Sequence, residues 1–339
     1  MLIKPDLKDE TLTECLKDAY GLDVAAISFL PLGADFNTAV YRITTSSQTD
    51  YFLKLRRSEC IDASVSVPKY LADLGIKQVI PPIATRTGQL WTNLASFKAI
   101  LYPYVEGRHG VEVKLSDKQW IEFGATMKQF HHTEIPKSIT NGVERETFSF
   151  KWRETVKAFL GRIENAVFAE PVAAKMALFL KSKSSEIRKL VERAENLAIT
   201  LQKQPPEYVL CHADIHGWNL LIDKAQMLYI VDWDTLILAP KERDLMFIGA
   251  GIWDSGRTPI EEELLFYQGY GQTEINQDAI CYYRFERIIQ DIGEYCEHLF
   301  LSDEGGDDRI QSFAYLQSNF LPEGTIEKAY QSNKTRKVL

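Results

Sequence analysis

Over the first hundred residues apolar positions alternate with polar ones at a period near two, and beyond residue 116 they recur every three to four residues. The alternating part holds runs at 25–31, 39–45, 51–56, 80–84 and 97–102, rich in β-branched or aromatic residues and bounded by Gly, Asn, Ser and Asp. They predict five strands around one helix, the helix lying between the third and fourth strands. Pro103, Tyr104, Val105, Glu106 and Gly107 then stop regular structure, as a hinge would. Ser116 and Gln119 form a capping box that predicts a helix to about His132, with Trp120, Phe123, Met127 and Phe130 or His131 on one face. Further helices are expected at 151–165, 171–203, 259–270, 277–301 and 309–320. The expected organisation is α+β: an N-terminal lobe at 1–102, a hinge at 103–107, and a mainly helical lobe at 108–339.

One polar cluster interrupts the helical part. His212, Asp214 and Asn219 stand in the pattern H-x-D-x-x-x-x-N, and Asp232 and Asp234 follow as D-x-D. Phosphoryl transfer to an alcohol needs a carboxylate to orient the hydroxyl and accept its proton, and oxygen ligands to hold Mg²⁺ against nucleotide phosphates. Asp214 suits the first role, and Asn219 and Asp232 the second. Between them two short apolar runs flank Asp223, Lys224, Ala225 and Gln226, which predicts a hairpin returning Asp232 to Asn219. His212 and His216 lack a third ligand at metal spacing and are read as bracing backbone.

Alternation in the third strand puts Phe52, Lys54 and Arg56 on one face and Tyr51, Leu53 and Leu55 on the other. Lys54 is thereby the candidate to neutralise nucleotide phosphates. Glu59 and Asp62 are the nearby acids that could pair with it. Pro68 restricts the following helix to a start near Val67, or to a kink if it starts earlier. The turn between the first two strands, around Gly33, holds a single glycine, so a G-x-G-x-x-G phosphate cradle is absent.

Composition narrows the function classes. The chain has 339 residues, 45% hydrophobic and 25% charged, with no repeat and no apolar run long enough to span a bilayer. No secretory signal opens it, and its five cysteines are widely separated without a C-x-x-C, so a cytoplasmic setting with reduced thiols is expected. A net charge of −8 argues against nucleic acid as a partner and is compatible with a cationic substrate, and no membrane partner is expected. A monomer or weak dimer is expected.

The segments 208–216 and 229–234 resemble the two signatures of the aminoglycoside phosphotransferase family, a branch of the protein-kinase-like two-lobe fold. Longer blocks at 238–249, 151–154 and 282–289 resemble its spectinomycin-phosphorylating branch. The resemblance runs from about residue 16 to 320 and implies ATP and Mg²⁺ as cofactors. It makes Asp214 the base, Asn219 and Asp232 the metal ligands, and Lys54 the phosphate-binding lysine with Asp62 as its acidic partner. The backbone from Tyr102 through Tyr104 to Val105 would receive adenine. Asp244 looks like the family's structural aspartate behind the catalytic loop. The implied acceptor is spectinomycin or a related aminocyclitol, whose phosphorylation confers antibiotic resistance. Its protonated amines call for carboxylates, and Asp234, Glu286 and Asp291 are the candidates, although Arg287 and Asp291 also form an i, i+4 pair suited to a solvated face.

Two alternatives stand beside this expectation. A kinase of a small endogenous amine or polyol would use the same machinery, and a kinase-fold binding module would need none of it. Lys54, Asp214, Asn219 and Asp232 are all present, which disfavours the module. The short segment from Asp234 to Asp244 has no room for a protein kinase's activation loop.

Overall fold

The computed structural model describes residues 4–32, 37–57, 62–250, 255–302, 306–322 and 324–332. In chain order the elements are α1 (Asp9–Tyr20), β1 (Val24–Leu30), β2 (Thr38–Thr45), β3 (Asp50–Arg56), α2 (Ala63–Asp73), β4 (Thr92–Leu94), β5 (Phe97–Pro103), β6 (Gly107–His109), α3 (Asp117–His132), β7 (Glu144–Arg145), α4 (Lys151–Asn165), α5 (Pro171–Lys203), β8 (Tyr208–Cys211), β9 (Leu220–Asp223), β10 (Leu228–Ile230), β11 (Ile237–Pro240), α6 (Glu242–Leu245), α7 (Pro259–Tyr270), α8 (Gln277–Leu301), α9 (Asp307–Ser318) and α10 (Thr325–Ser332). Two 3-10 turns, Gly217–Asn219 and Trp233–Thr235, bracket the β9–β10 hairpin. The chain divides into two compact units, Met1–Glu144 with Asp214–Leu236, and Arg145–Ala213 with Ile237–Leu339.

The first unit is built on an antiparallel sheet in the order β1-β2-β3-β5-β4. Tyr41, Ile43, Leu53, Leu55, Ala99 and Leu101 point to one face of it and bury themselves under Leu12 and Leu16 of α1. Burying such apolar faces is the main favourable term in holding a sheet and helix together. The same unit contains α3, opened by the Ser116–Gln119 capping box, with Trp120, Phe123, Met127, Phe130 and His131 all buried as the helical period requires. The β9–β10 hairpin forms where the sequence places it, and β6 adds to its β9 edge.

The second unit is mainly helical. Val156, Leu160 and Ile163 of α4, Met176, Leu180 and Leu190 of α5, and Phe285, Ile288 and Ile292 of α8 share one core. Strands β8 and β11 pair antiparallel beside this helical set. Among the described residues no helix is long and apolar enough to cross a membrane.

The expected α+β fold, with a five-stranded antiparallel sheet before a mostly helical part, is what the molecule adopts. Its fourth strand differs from the sequence expectation. Residues 80–84 run beside β5, but Pro81 and Pro82 have no N–H to donate, and only the Ile83 nitrogen reaches the Leu101 carbonyl. Thr92–Leu94 takes the strand position instead, joined to β5 by a two-residue turn with Ala95 at φ 51°.

Helix α1 was not legible, since only Leu12 and Leu16 of its twelve residues are fully buried. Helix α2 starts at Ala63 and runs through Pro68 rather than beginning near Val67. The proline forfeits one backbone bond, while burial of Val65, Val67 and Leu71 holds the helix on both sides of it. Helix α9 begins two residues earlier than expected. Gly33 in the first turn and Glu59 lie outside the described residues.

Candidate active site

Strand β3 delivers the first cation of the site. Leu53 and Leu55 are buried in the sheet core, so alternation sends Lys54 and Arg56 to the opposite face. There the Lys54 Nζ donates to Asp232 Oδ1 at 2.8 Å and to Asp234 Oδ2 at 2.7 Å. Arg56 Nη1 donates to the other oxygen of Asp234 at 3.0 Å and to Ser64 Oγ, in the first turn of α2, at 3.3 Å. Burial alone would lower the pKa of the Lys54 ammonium. The negative charges of Asp232 and Asp234 outweigh it and hold the lysine well above its ordinary value, so Lys54 stays cationic.

Ala213 and Asp232, at the two ends of the loop and hairpin, are held in the left-handed region. Ala213, at φ 68°, immediately precedes Asp214. Asp232 has φ 64° and ψ 65°. A non-glycine residue in this region is uncommon and needs its surroundings to hold it there. For Ala213 the holder is Asp244, nearly fully buried, whose Oδ1 accepts from the Ala213 nitrogen at 2.6 Å and whose Oδ2 accepts from the His212 nitrogen at 2.9 Å. Asp244 thus supports the backbone that leads into Asp214.

Beyond Ala213 the loop closes on itself. The His216 nitrogen donates to the Asp214 carbonyl, and the Asn219 nitrogen donates to the His216 carbonyl. The Asn219 Nδ2 then donates to both the carbonyl, at 2.8 Å, and the Oδ2, at 3.2 Å, of Asp214. His216 Nε2 stands 3.3 Å from the same Oδ2. The sequence reading gave His216 to the backbone alone, and it missed this contact with the carboxylate.

The hairpin returns the second half of the motif. The Val231 nitrogen donates to the Asn219 carbonyl at 3.0 Å, which sets Asp232 one residue from a direct tie to Asn219. Trp233 is buried, with its indole nitrogen on the Ile230 carbonyl at 3.1 Å and its ring edge-on to Phe130 at 5.1 Å. This buried residue anchors the turn, and Asp232 and Asp234 on either side of it both reach Lys54.

The donor set suits a hard cation. Asn219 turns its amide nitrogen to Asp214, which leaves its carbonyl oxygen as the side chain's acceptor. Asp232 is the most open of these carboxylates, 48% exposed. The amide oxygen of Asn219 and the carboxylate oxygens of Asp232 match the preference of Mg²⁺.

The remaining sequence candidates fall in different places. Asp62 sits at the N-cap of α2, and its Oδ1 accepts from the Trp91 indole at 3.2 Å. Lys54 is therefore paired with Asp232 and Asp234 rather than with Asp62, because the turn that opens α2 directs that carboxylate to Trp91. Tyr102 is on β5, across from Phe52, and close enough to Lys54 to contribute to its raised pKa. Tyr104 and Val105 follow in the segment between β5 and β6, with the Arg42 guanidinium 4.7 Å above the Tyr104 ring.

None of the three acids expected at the acceptor amines is unpaired. Asp234 spends both oxygens on Lys54 and Arg56. Glu286, in the second unit, holds Arg153 at 2.6 Å, and burial raises its carboxyl pKa to about 7 despite that partner. Asp291 holds Arg287 one turn away at 3.0 Å. Arg56 also reaches Asp234, a contact that sequence reasoning passed over although its place two residues after Lys54 on the same strand face was in view.

Comparison with known proteins agrees with the geometry. A crystal structure of spectinomycin phosphotransferase, APH(9)-Ia, in complex with ADP and spectinomycin is similar at a TM-score of 0.90 and 36% identity, covering 97% of this chain and 99% of that one. The AMP-bound complex of the same enzyme is similar at a TM-score of 0.85 and 35% identity, covering 98% of this chain and all of that one. Protein StrN of Streptomyces griseus is 25% identical over 228 residues, which are 66% of this chain and 69% of that protein. The model of the phosphotransferase enzyme family matches residues 28–275. That span includes Lys54, Asp214, Asn219 and Asp232, and the chain belongs to the phosphotransferase enzyme family.

Proposed function

We propose that the chain is a small-molecule kinase that transfers the γ-phosphoryl group of ATP to a hydroxyl of spectinomycin or a related aminocyclitol, and so confers resistance to it. The observation that carries this reading is the gathering of Lys54, Asp214, Asn219 and Asp232 in one compact unit through the Asn219–Asp214, Val231–Asn219 and Lys54–Asp232 bonds. Similarity to spectinomycin phosphotransferase over nearly the whole length of both chains supports the choice of acceptor.

In this reading Asp214 accepts the proton of the acceptor hydroxyl as its oxygen bonds to phosphorus, and the bond from that phosphorus to the ADP oxygen breaks. Asn219 orients the Asp214 carboxylate. Lys54 binds the non-transferred phosphates, and the backbone from Tyr102 through Tyr104 to Val105 takes the adenine, with residues 103–107 as the hinge between an N-terminal lobe at 1–102 and a helical lobe at 108–339. Asn219 and Asp232 would hold Mg²⁺, which when bound neutralises charge on the phosphoryl oxygens. The reaction belongs in the cytoplasm, where ATP is available.

The test is ADP release by the purified protein with Mg-ATP across spectinomycin, other aminocyclitols, choline-like amines and simple sugars. Turnover with spectinomycin well above the other acceptors is expected. Turnover only with an amine or sugar would move the acceptor assignment and leave the kinase chemistry in place.

A further inference from the structure

We infer that Arg56 and Asp234 form the pair that positions Lys54 for nucleotide phosphates, in place of a carboxylate from the helix after β3. The inference rests on the kinase reading and goes beyond it in assigning a role to two residues outside the set of base, metal ligands and lysine.

A phosphate-binding lysine needs an anionic partner that fixes its long side chain without neutralising it. Asp62 does not serve, since its carboxylate is engaged by Trp91 at the start of α2. The hydrogen bonds of Lys54 among the described residues go to Asp232 and Asp234. These two aspartates are not equivalent. Asp232 is 48% exposed, sits in a left-handed conformation and is the proposed metal ligand, so a bound cation competes with Lys54 for its charge. Asp234 is 21% exposed, and its second oxygen is held by Arg56, itself 11% exposed and tied to Ser64 of α2.

The consequence is a division of labour. Asp232, the more exposed of the two, turns its charge to metal and phosphate, while Asp234 remains on Lys54 because Arg56 fixes its orientation. Arg56 also adds a second positive charge beside one carboxylate, which keeps Asp234 from neutralising Lys54 fully. Arg56 acts through Asp234 and is a positioning residue.

The experiment measures binding of ATP by titration calorimetry, with and without Mg²⁺, together with the KM for ATP and kcat, in the full chain and in Arg56→Gln, Arg56→Lys, Asp234→Asn, the Arg56→Gln/Asp234→Asn double variant, Asp62→Asn and Glu59→Gln. Thermal melts confirm that each variant is folded. Arg56→Gln and Asp234→Asn should each weaken ATP binding by about ten- to hundredfold, the range for losing a hydrogen bond between charged groups, and should do so with or without Mg²⁺. The double variant should be no worse than Asp234→Asn alone, since the two act as one unit. Arg56→Lys should recover part of the loss, and Asp62→Asn and Glu59→Gln should cost less than Asp234→Asn.

Normal ATP binding in folded Arg56→Gln would overturn the inference, as would a larger loss in Asp62→Asn or Glu59→Gln. A loss in Asp234→Asn seen only with Mg²⁺ would make Asp234 a metal ligand and overturn it too. Failure of the unaltered protein to bind ATP at all would overturn the kinase reading and this inference with it.

Discussion

The Asn219 side chain binds Asp214 at two points, its Nδ2 donating to the backbone carbonyl at 2.8 Å and to the carboxylate Oδ2 at 3.2 Å. Bonds to both its carbonyl and its carboxylate fix the Asp214 side chain relative to its own backbone, which is what the proposed general base needs before substrate arrives. Replacing Asp214 by Asn keeps an oxygen to accept from Asn219, so the loop should survive while the proton acceptor is lost. Asp214→Asn should lower turnover by about two to four orders of magnitude with nucleotide binding retained. Steady-state kinetics beside calorimetric titration with nucleotide checks this, and near-normal turnover would remove Asp214 from its role.

Asp244 carries a second, purely structural requirement of the same loop. Its two oxygens receive the His212 and Ala213 nitrogens, and Ala213 is held at φ 68°. Asp244→Ala would leave these two buried N–H groups without their acceptor, at about 1–3 kcal/mol for each. The expected result is a loss of about 2–5 kcal/mol in urea unfolding, accompanied by reduced turnover because the loop loses its left-handed turn. Full stability in that variant would show that something other than Asp244 fixes the loop.

Much of this architecture was legible because its signals are local. Helices α4, α5, α7 and α8 have the bounds expected from sequence, and three of them open on a side chain that caps its own first turn: Glu170, Thr258 and Asn276. The β9–β10 hairpin was equally local, since its two strands are joined by a polar turn. Strands β4 and β6, three residues each, were not legible, because their pairing is decided by the partner strand and not by their own pattern. The site divides in the same way. The spacing of Asp214, Asn219 and Asp232 marks out the proposed machinery, but Lys54 and Asp234 are 180 residues apart, and nothing local says which carboxylate a strand lysine meets. The contacts of Asp234 with Lys54 and Arg56 were therefore not foreseen.

Gly293 tests the packing of the helical unit. It lies on α8 where the α4 residue Trp152 crosses, and a Cβ there would stand 2.8 Å from a carbon of the Trp152 ring. The indole is half-buried and packed against the helical core, which limits its room to withdraw. Gly293→Ala should therefore destabilise the protein by about 1–3 kcal/mol despite alanine's better helix propensity. A denaturant midpoint equal to or above that of the unaltered protein would mean that the ring moves aside without cost.

The Arg153–Glu286 pair predicts a specific dependence of stability on pH. Glu286 on α8 accepts from Arg153 on α4, and Glu146 and Arg243 are close enough to act on its charge. Burial dominates and raises its carboxyl pKa from the ordinary 4.5 to about 7. Between these values the folded protein holds a proton that the unfolded chain has released, so this group's contribution is fully present below about pH 4.5 and is lost as pH rises to about 7. The loss across that window should be up to about 3 kcal/mol. Glu286→Gln cannot ionise and should lack this component, whatever its own stability after Arg153 loses its carboxylate. Urea unfolding of both proteins at about pH 5 and pH 8 reads the difference in slope, and an identical pH dependence in the two would show that Glu286 is already ionised at the acid end.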